Sequence, residues 1–284
     1  MMHYTLNIRG QLVALNTPQI MGILNATPDS FFADSRKQTE HEIAERANEI
    51  VAQGGTMIDV GAFSTRPGAA TVDEQEEMAR LRWALTIVRR EQPDVVLSVD
   101  TFRPTVARMA VEEMGADIIN DVSEGGVGDI AGAALHDEDA DTLPPMFRMV
   151  SRLRVPYILM SVQPTMRLSL LAFARKVQQL RDLGQKDIIL DPGFGFGKTT
   201  DENYQMLGEL EQLQVMQLPV LVGLSRKSMV YKLLGTTPAE ALNGTTTLHA
   251  IALMKGASIL RVHDVKEAVE CVKVVEAATL LQQA

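Results

Sequence analysis

Apolar and polar side chains alternate over residues 4–15 around Arg9-Gly10, with Leu6, Ile8, Leu12 and Val13 on the apolar side, which predicts a short β-hairpin. A different rhythm follows. Compact apolar runs at Ile20–Leu24, Met57–Val60, Val95–Val99, Asp117–Ile119, Tyr157–Met160, Ile188–Leu190, Val220–Leu224 and Ile259–Val262 read as strands buried on both faces. Between them lie stretches of helical period, among them Glu42–Ala52, Val72–Arg90, Pro104–Met114, Leu168–Leu183 and Pro238–Met254, with a last helix over Val265–Leu281. Parallel strands need crossover connections, and eight strand–helix units at this length close on themselves. The pattern predicts an α/β fold, a (β/α)8 barrel, with residues 1–18 forming the N-terminal hairpin. A doubly wound open sheet is the alternative, but it gives no reason for eight repeats. No linker or shift in composition divides the chain, so one domain is expected over 1–284.

Composition narrows the partners. The 284 residues are 46% hydrophobic with a mean hydropathy of +0.02, enough apolar material for a large core. A net charge of −9 and a pI near 5.1, with no basic run, argue against nucleic acid or an anionic membrane as partner. No apolar run approaches the roughly 20 residues of a membrane span. The first residues carry neither the charged nor the apolar region of a signal peptide, so a cytoplasmic protein is expected. The single cysteine, Cys271, lies in a helical pattern and reads as a buried structural thiol in a reducing compartment. The acidic run His136–Asp141 reads as a solvated loop.

The chemistry concentrates at strand ends. Strand Ile188–Leu190 runs into Asp191, then Pro192 and three alternating glycines, Gly193, Gly195 and Gly197, before Lys198. That composition stops a strand and lets backbone pass close to a ligand. In a barrel the C-terminal strand ends form the active-site rim. There the chain places Asn25, then Ser64-Thr65-Arg66-Pro67, Asp100, Asn120, Met160-Ser161, Asp191, Ser225-Arg226-Lys227-Ser228 and Arg261-Val262-His263. Asp100, Asn120 and Asp191 supply acceptors for a ligand rich in N–H donors. Arg66, Lys227, Arg261 and His263 supply cations, and the loops after the last two strands are a common phosphate site. Met160 and Phe196 offer an apolar slot for a flat ring. The expected ligand is a phosphorylated, nitrogen-rich small molecule.

In order along the chain, Met21-Gly22-Ile23-Leu24-Asn25-Ala26-Thr27-Pro28-Asp29-Ser30-Phe31, Ser64-Thr65-Arg66-Pro67-Gly68, Ser98-Val99-Asp100-Thr101, Asp191-Pro192-Gly193-Phe194-Gly195-Phe196-Gly197-Lys198, Ser225-Arg226-Lys227-Ser228 and Arg261-Val262-His263 together resemble the dihydropteroate synthase family. The resemblance implies a TIM barrel enzyme, a transferase of folate biosynthesis. Such an enzyme joins 6-hydroxymethyl-7,8-dihydropterin diphosphate to p-aminobenzoate, giving 7,8-dihydropteroate and pyrophosphate. By match to the family's motifs, Asp100, Asn120, Asp191, Lys227 and Arg261 hold the pterin, lined by Met160 and Phe196. Asn25, Arg66, Arg261 and His263 hold the pyrophosphate, Asn25 through Mg²⁺. Thr65, Arg66, Pro67 and Ser228 receive p-aminobenzoate, the site that sulfonamides target. The resemblance makes Asp100, Lys227 and Arg66 the residues closest to the chemistry, and a homodimer the expected assembly.

The chain departs from the family at two places. Ser161 stands where histidine usually follows the strand-5 methionine, and Phe32-Ala33-Asp34-Ser35 replaces the usual Ser-Asp-Gly-Gly of the first loop. Other readings of such a barrel are a pterin-binding methyltransferase serving a corrinoid protein, a Schiff-base aldolase using Lys227, and a non-catalytic pterin-binding barrel. The first needs no diphosphate site, which the cations near the last strands argue against. The second needs its lysine within a strand, and the third should have lost its site residues.

Overall fold

A computed structural model describes residues 4–26, 36–63, 72–125 and 143–280. The alternating N-terminal segment forms β1 (Tyr4–Ile8) and β2 (Gln11–Leu15), an antiparallel pair joined by a turn in which Arg9 and Gly10 both have positive φ, 52° and 80°. Two such residues give the turn whose twist matches that of the flanking strands.

Eight parallel strands follow: β3 (Gln19–Asn25), β4 (Met57–Gly61), β5 (Val96–Asp100), β6 (Ile118–Asp121), β7 (Tyr157–Met160), β8 (Ile188–Asp191), β9 (Leu221–Val222) and β10 (Ile259–Val262). Their order, β8-β7-β6-β5-β4-β3-β10-β9, is sequential around a ring, and a parallel bridge from Leu190 to Val220 brings its two ends together. The helices α1 (Arg36–Ala52), α2 (Glu74–Glu91), α3 (Pro104–Glu112), α4 (Pro145–Leu153), α5 (Met166–Asp182), α6 (Thr200–Gly208), α7 (Ser228–Leu234), α8 (Leu242–Met254) and α9 (Val265–Leu280) fill the crossovers. The expected barrel and hairpin are both present.

Each strand sorts its side chains by alternation. Outward residues such as Ile58, Val60, Leu97, Val99, Leu159, Leu190 and Leu260 join the helices in one large core. Inward residues at the strand starts, Met21, Met57, Ile118, Ile158, Ile189, Leu221 and Ile259, pack with Leu6, Ile8 and Leu15 of the hairpin. The hairpin therefore plugs the base of the barrel. It is tied there by Arg9, which donates to both oxygens of buried Asp117 at 2.8 Å. With the base filled by hydrocarbon, a polar ligand can enter only from the other end.

Several elements differ from expectation. The run Val220–Leu224 is buried, but only Leu221–Val222 form a strand, because the chain turns away through Arg226 at φ 52°. The stretch from Pro238 divides into a 3₁₀ turn, Pro238–Glu240, capped by Thr237, before α8 begins at Leu242. The short helices α4, α6 and α7 offer too few turns for their period to stand out. The acidic run 136–141 lies outside the described residues. Cys271 is buried on α9 with its thiol on Thr246 O, and burial raises its pKa. Among the described residues no helix is long and apolar enough to cross a membrane.

Candidate active site

The C-terminal mouth of the barrel gathers the polar inward residues. Alternation along β5, β6 and β8 points Asp100, Asn120 and Asp191 inward, while their neighbours Val99, Ile119 and Leu190 face the helices. Asn120 and Asp191 are buried, whereas Asp100 keeps 21% of its side chain open to the mouth. Asp191 accepts from the backbone N–H of Gly193 at 2.8 Å, which fixes the carboxyl as the chain reverses after β8. Met160 falls in one apolar cluster with Val122, flanked by Phe63, Val162 and Phe196. Met160 and Phe196 are thus brought together in one apolar cluster.

Arg261, inward on β10, reaches across the barrel. Its Nε donates to Asp59 Oδ2 at 2.6 Å and its Nη2 to Asp100 Oδ2 at 2.8 Å. Asn120 Nδ2 also donates to Asp59 Oδ2, at 3.1 Å. Asp59 was not among the expected site residues. Its signal was a lone carboxylate within the apolar run Met57–Val60, at the alternate position that faces the barrel. Burial alone would lower the Arg261 pKa, but Asp59 and Asp100 together raise it. The guanidinium is therefore a permanent charge at the floor of the mouth.

Lys227 stands just before α7, outside any strand. Its Nζ donates to Phe194 O and lies 4.5 Å from the Phe196 ring centroid. Burial, opposed by Asp191, brings its pKa down to about 8. Burial likewise lifts Asp100 to about 7 against the pull of Arg261, and raises Asp191 against that of Lys227. Asp100 and Lys227 thus titrate close to neutrality at one mouth, with the Asp191 carboxyl raised beside them, as at sites that handle charged or proton-bearing ligands.

The rim residues divide. Asn25 ends β3 exposed; its Oδ1 and Asp100 Oδ2 each lie 3.8 Å from where a Cβ on Gly61 would stand. His263 donates its backbone N–H to Ser225 Oγ at 3.1 Å and accepts from Arg46 Nη2 at 2.5 Å on its carbonyl. Ser228 opens α7 beside Lys227. Arg226 turns away from the mouth, held by both oxygens of Asp264 at 2.9 Å and by Pro238 O and Ala239 O. Thr65, Arg66 and Pro67, and the first-loop residues Phe32–Ser35, lie outside the described residues.

Ser161 follows inward-facing Met160, and its buried hydroxyl donates to Glu124 Oε1 at 3.2 Å. Glu124 and Lys176, both buried, lie 3.4 Å apart in the same cluster. The serine at the family's histidine position thus belongs to a buried network behind the rim. Lys198, also without an expected role, donates to Ser161 O, Gly193 O and Phe196 O and clasps the glycine loop.

The model of the pterin binding enzyme family matches residues 21–263, from the first barrel strand to the histidine after the last. The chain belongs to this family. Its relatives within the family include the dihydropteroate synthase of Escherichia coli strain K12, 38% identical over 95% of this chain and 94% of that one. Among solved structures, the Xanthomonas albilineans dihydropteroate synthase with 4-aminobenzoic acid superposes with a TM-score of 0.83. It is 32% identical over 97% of this chain and 98% of that one. The Coxiella burnetii enzyme in complex with pteroic acid gives 0.80 at 30% identity, over 97% and 98% of the two chains. This family member is a transferase of the dihydropteroate synthase kind, built on the family's barrel.

Proposed function

We propose that the chain joins 6-hydroxymethyl-7,8-dihydropterin diphosphate to p-aminobenzoate, forming 7,8-dihydropteroate and pyrophosphate. The observation that carries this reading is the inward triad Asp100, Asn120 and Asp191 beside Arg261 and Lys227. A pterin edge is rich in N–H, and these acceptors suit it; Lys227 suits the ring carbonyl, and Met160 with Phe196 the faces of the ring.

In the reaction the aniline nitrogen bonds to the pterin methylene, the methylene–oxygen bond breaks, and the nitrogen gives up a proton as pyrophosphate departs. Aniline is a free nucleophile, so no serine or cysteine is required. Positive charge develops on the methylene, where Asp100 stabilises it, and negative charge on the departing oxygen, where Arg261, His263 and Arg66 stabilise it. Thr65, Arg66, Pro67 and Ser228 would receive p-aminobenzoate, and the sulfonamides that share its shape.

Mg²⁺ fits this arrangement. Asn25 Oδ1 and Asp100 Oδ2, each 3.8 Å from where a Cβ on Gly61 would stand, are the hard oxygen donors this ion prefers. Among the described residues no three His, Cys, Asp or Glu side chains gather to hold a metal. Asn25 and the substrate's diphosphate would then share the ion, whose chemistry is to neutralise the leaving pyrophosphate. A homodimer is supported by Leu233, Leu234, Met254 and Val274, which leave large apolar side chains exposed on α7, α8 and α9. The lone buried thiol suits a reducing compartment, in keeping with a cytoplasmic enzyme.

The test is turnover with Mg²⁺, the dihydropterin diphosphate and labelled p-aminobenzoate, following dihydropteroate and pyrophosphate together. Asp191→Asn and Lys227→Ala should each lose about 100-fold or more in kcat/KM, the usual cost of removing a charged contact made in the transition state. Failure of the unaltered protein to bind or turn over the diphosphate would overturn the reading.

A further inference from the structure

The inner face of the barrel holds a polar floor beneath the triad. Asp59 sits mid-strand on β4, wholly buried and two residues before the strand's rim position, Gly61. Its Oδ2 accepts from two groups that belong to the proposed pterin pocket: Asn120 Nδ2 at 3.1 Å and Arg261 Nε at 2.6 Å. A carboxylate can only accept, so the side of the Asn120 amide that meets Asp59 must be its nitrogen. The amide cannot turn over without setting its oxygen against a carboxylate oxygen. Asn120 Oδ1 is then committed to the other side, where it is buried and without a protein partner. Asp59 Oδ1 and Ser98 Oγ, from inward positions of the neighbouring strands β4 and β5, are likewise buried and unpartnered. Three such atoms on adjacent strands are unusual in a folded interior, where buried polar atoms normally find a partner. They mark a place built to meet something polar.

We propose that Asp59 is a positioning residue that sets the hydrogen-bond polarity of the pocket. By fixing the Asn120 amide, it makes the site select a ring edge that presents N–H groups and reject one that presents carbonyls. The inference rests on the pterin reading above and deepens it by assigning specificity to a residue that acts through Asn120 and Arg261. Arg261 completes the arrangement. Asp59 holds its Nε and so keeps the guanidinium at the floor even when a ligand competes with Nη2 for Asp100. An asparagine at 59 would remove this constraint, because an amide can either donate or accept. The Asn120 amide could then adopt both orientations.

The decisive measurement is a ratio. Equilibrium binding of 6-hydroxymethylpterin is compared with that of its 2-oxo analogue, which keeps the shape but replaces the exocyclic amino group with a carbonyl. The unaltered protein should favour the amino compound, and Asp59→Asn should reduce that preference by about fivefold or more, the scale of one exchanged hydrogen bond. Asn120→Ala should reduce it similarly, and the double variant no further. A merely structural role for Asp59 would weaken both ligands equally and leave the ratio unmoved in folded protein, which would overturn the proposal. If Asp59→Asn does not fold, the side-chain amide of Asn120 in the unaltered protein decides by NMR. Amide protons protected from solvent exchange support the fixed orientation, and protons exchanging like those of an exposed asparagine overturn it. If the unaltered protein binds neither compound, the pterin reading itself fails, an outcome distinct from an unchanged ratio.

Discussion

Gly193, in the loop that leaves β8, joins backbone conformation to the placement of a site carboxyl. It has a φ of +67°, and a Cβ built there would lie 2.2 Å from the carbonyl oxygen of Ser161. Carbon and oxygen need about 3.3 Å, so Gly193→Ala must open the gap by about 1 Å. The left-handed backbone alone costs an alanine about 1–2 kcal/mol. Opening the gap also strains the Gly193 N–H bond to Asp191 Oδ1, now 2.8 Å, for a further 1–3 kcal/mol or so. The summed loss is about 3 kcal/mol. Lys198, which holds both Gly193 O and Ser161 O, resists the movement, so the displacement passes to Asp191. A carboxyl misplaced by about 1 Å costs on the order of 100-fold in turnover. Gly197 is the internal control, with φ +61° and its nearest neighbour 3.8 Å from a built Cβ. Gly197→Ala should therefore lose only the backbone term and keep its activity. Urea unfolding followed by circular dichroism, with initial rates on the same samples, measures both effects. Equal destabilisation by the two substitutions, or full activity in Gly193→Ala, would refute the argument.

Two further predictions concern protons. With Asp100 lifted to about 7 and Lys227 lowered to about 8, kcat/KM should fall as pH drops through about 7 and again as it rises through about 8. Lys227→Met should abolish the basic limb of whatever activity remains, and an unaltered acidic limb below pH 5 would exclude Asp100 as its origin. His249, buried on α8 with Nε2 unpartnered, is held down to about 4 by burial. Between about 4 and 6.5 the unfolded chain carries the proton and the folded chain does not, so acidification through this window lowers stability. The His249 contribution amounts to about 3 kcal/mol when complete. His249→Gln should lose less stability than the unaltered protein between pH 7 and pH 5, and parallel melting curves in the two would disprove the assignment.

Much of this molecule is legible in its local sequence. Buried parallel strands announce themselves as short apolar runs, and the chain's direction fixes which end of each run is the rim. Asp100, Asn120 and Asp191 can therefore be placed at one mouth from neighbouring residues alone, and the slot formed by Met160 and Phe196 follows from the same logic. Ser161 shows where that logic stops. Its place after Met160 at the end of β7 suggests the rim, yet alternation turns it outward, and its partners, Glu124 and Ser169, belong to other segments. Arg226 carries the same ambiguity. It lies beside a site lysine in sequence but is committed to Asp264, 38 positions away.

Asp59 marks the division most sharply. A carboxylate inside an apolar run is conspicuous, and strand alternation is a local property, so its inward direction can be read from the sequence. Its partners cannot. Arg261 lies 202 positions further along the chain and Asn120 61 positions, and only closure of the ring brings the three side chains together. The sequence alone determined periodicity, strand direction and the types of group at each strand end, because these depend on neighbouring residues. The tertiary structure decided which charges neutralise one another and which acceptors stay open for a ligand, because pairing across a barrel depends on distances that no local pattern encodes.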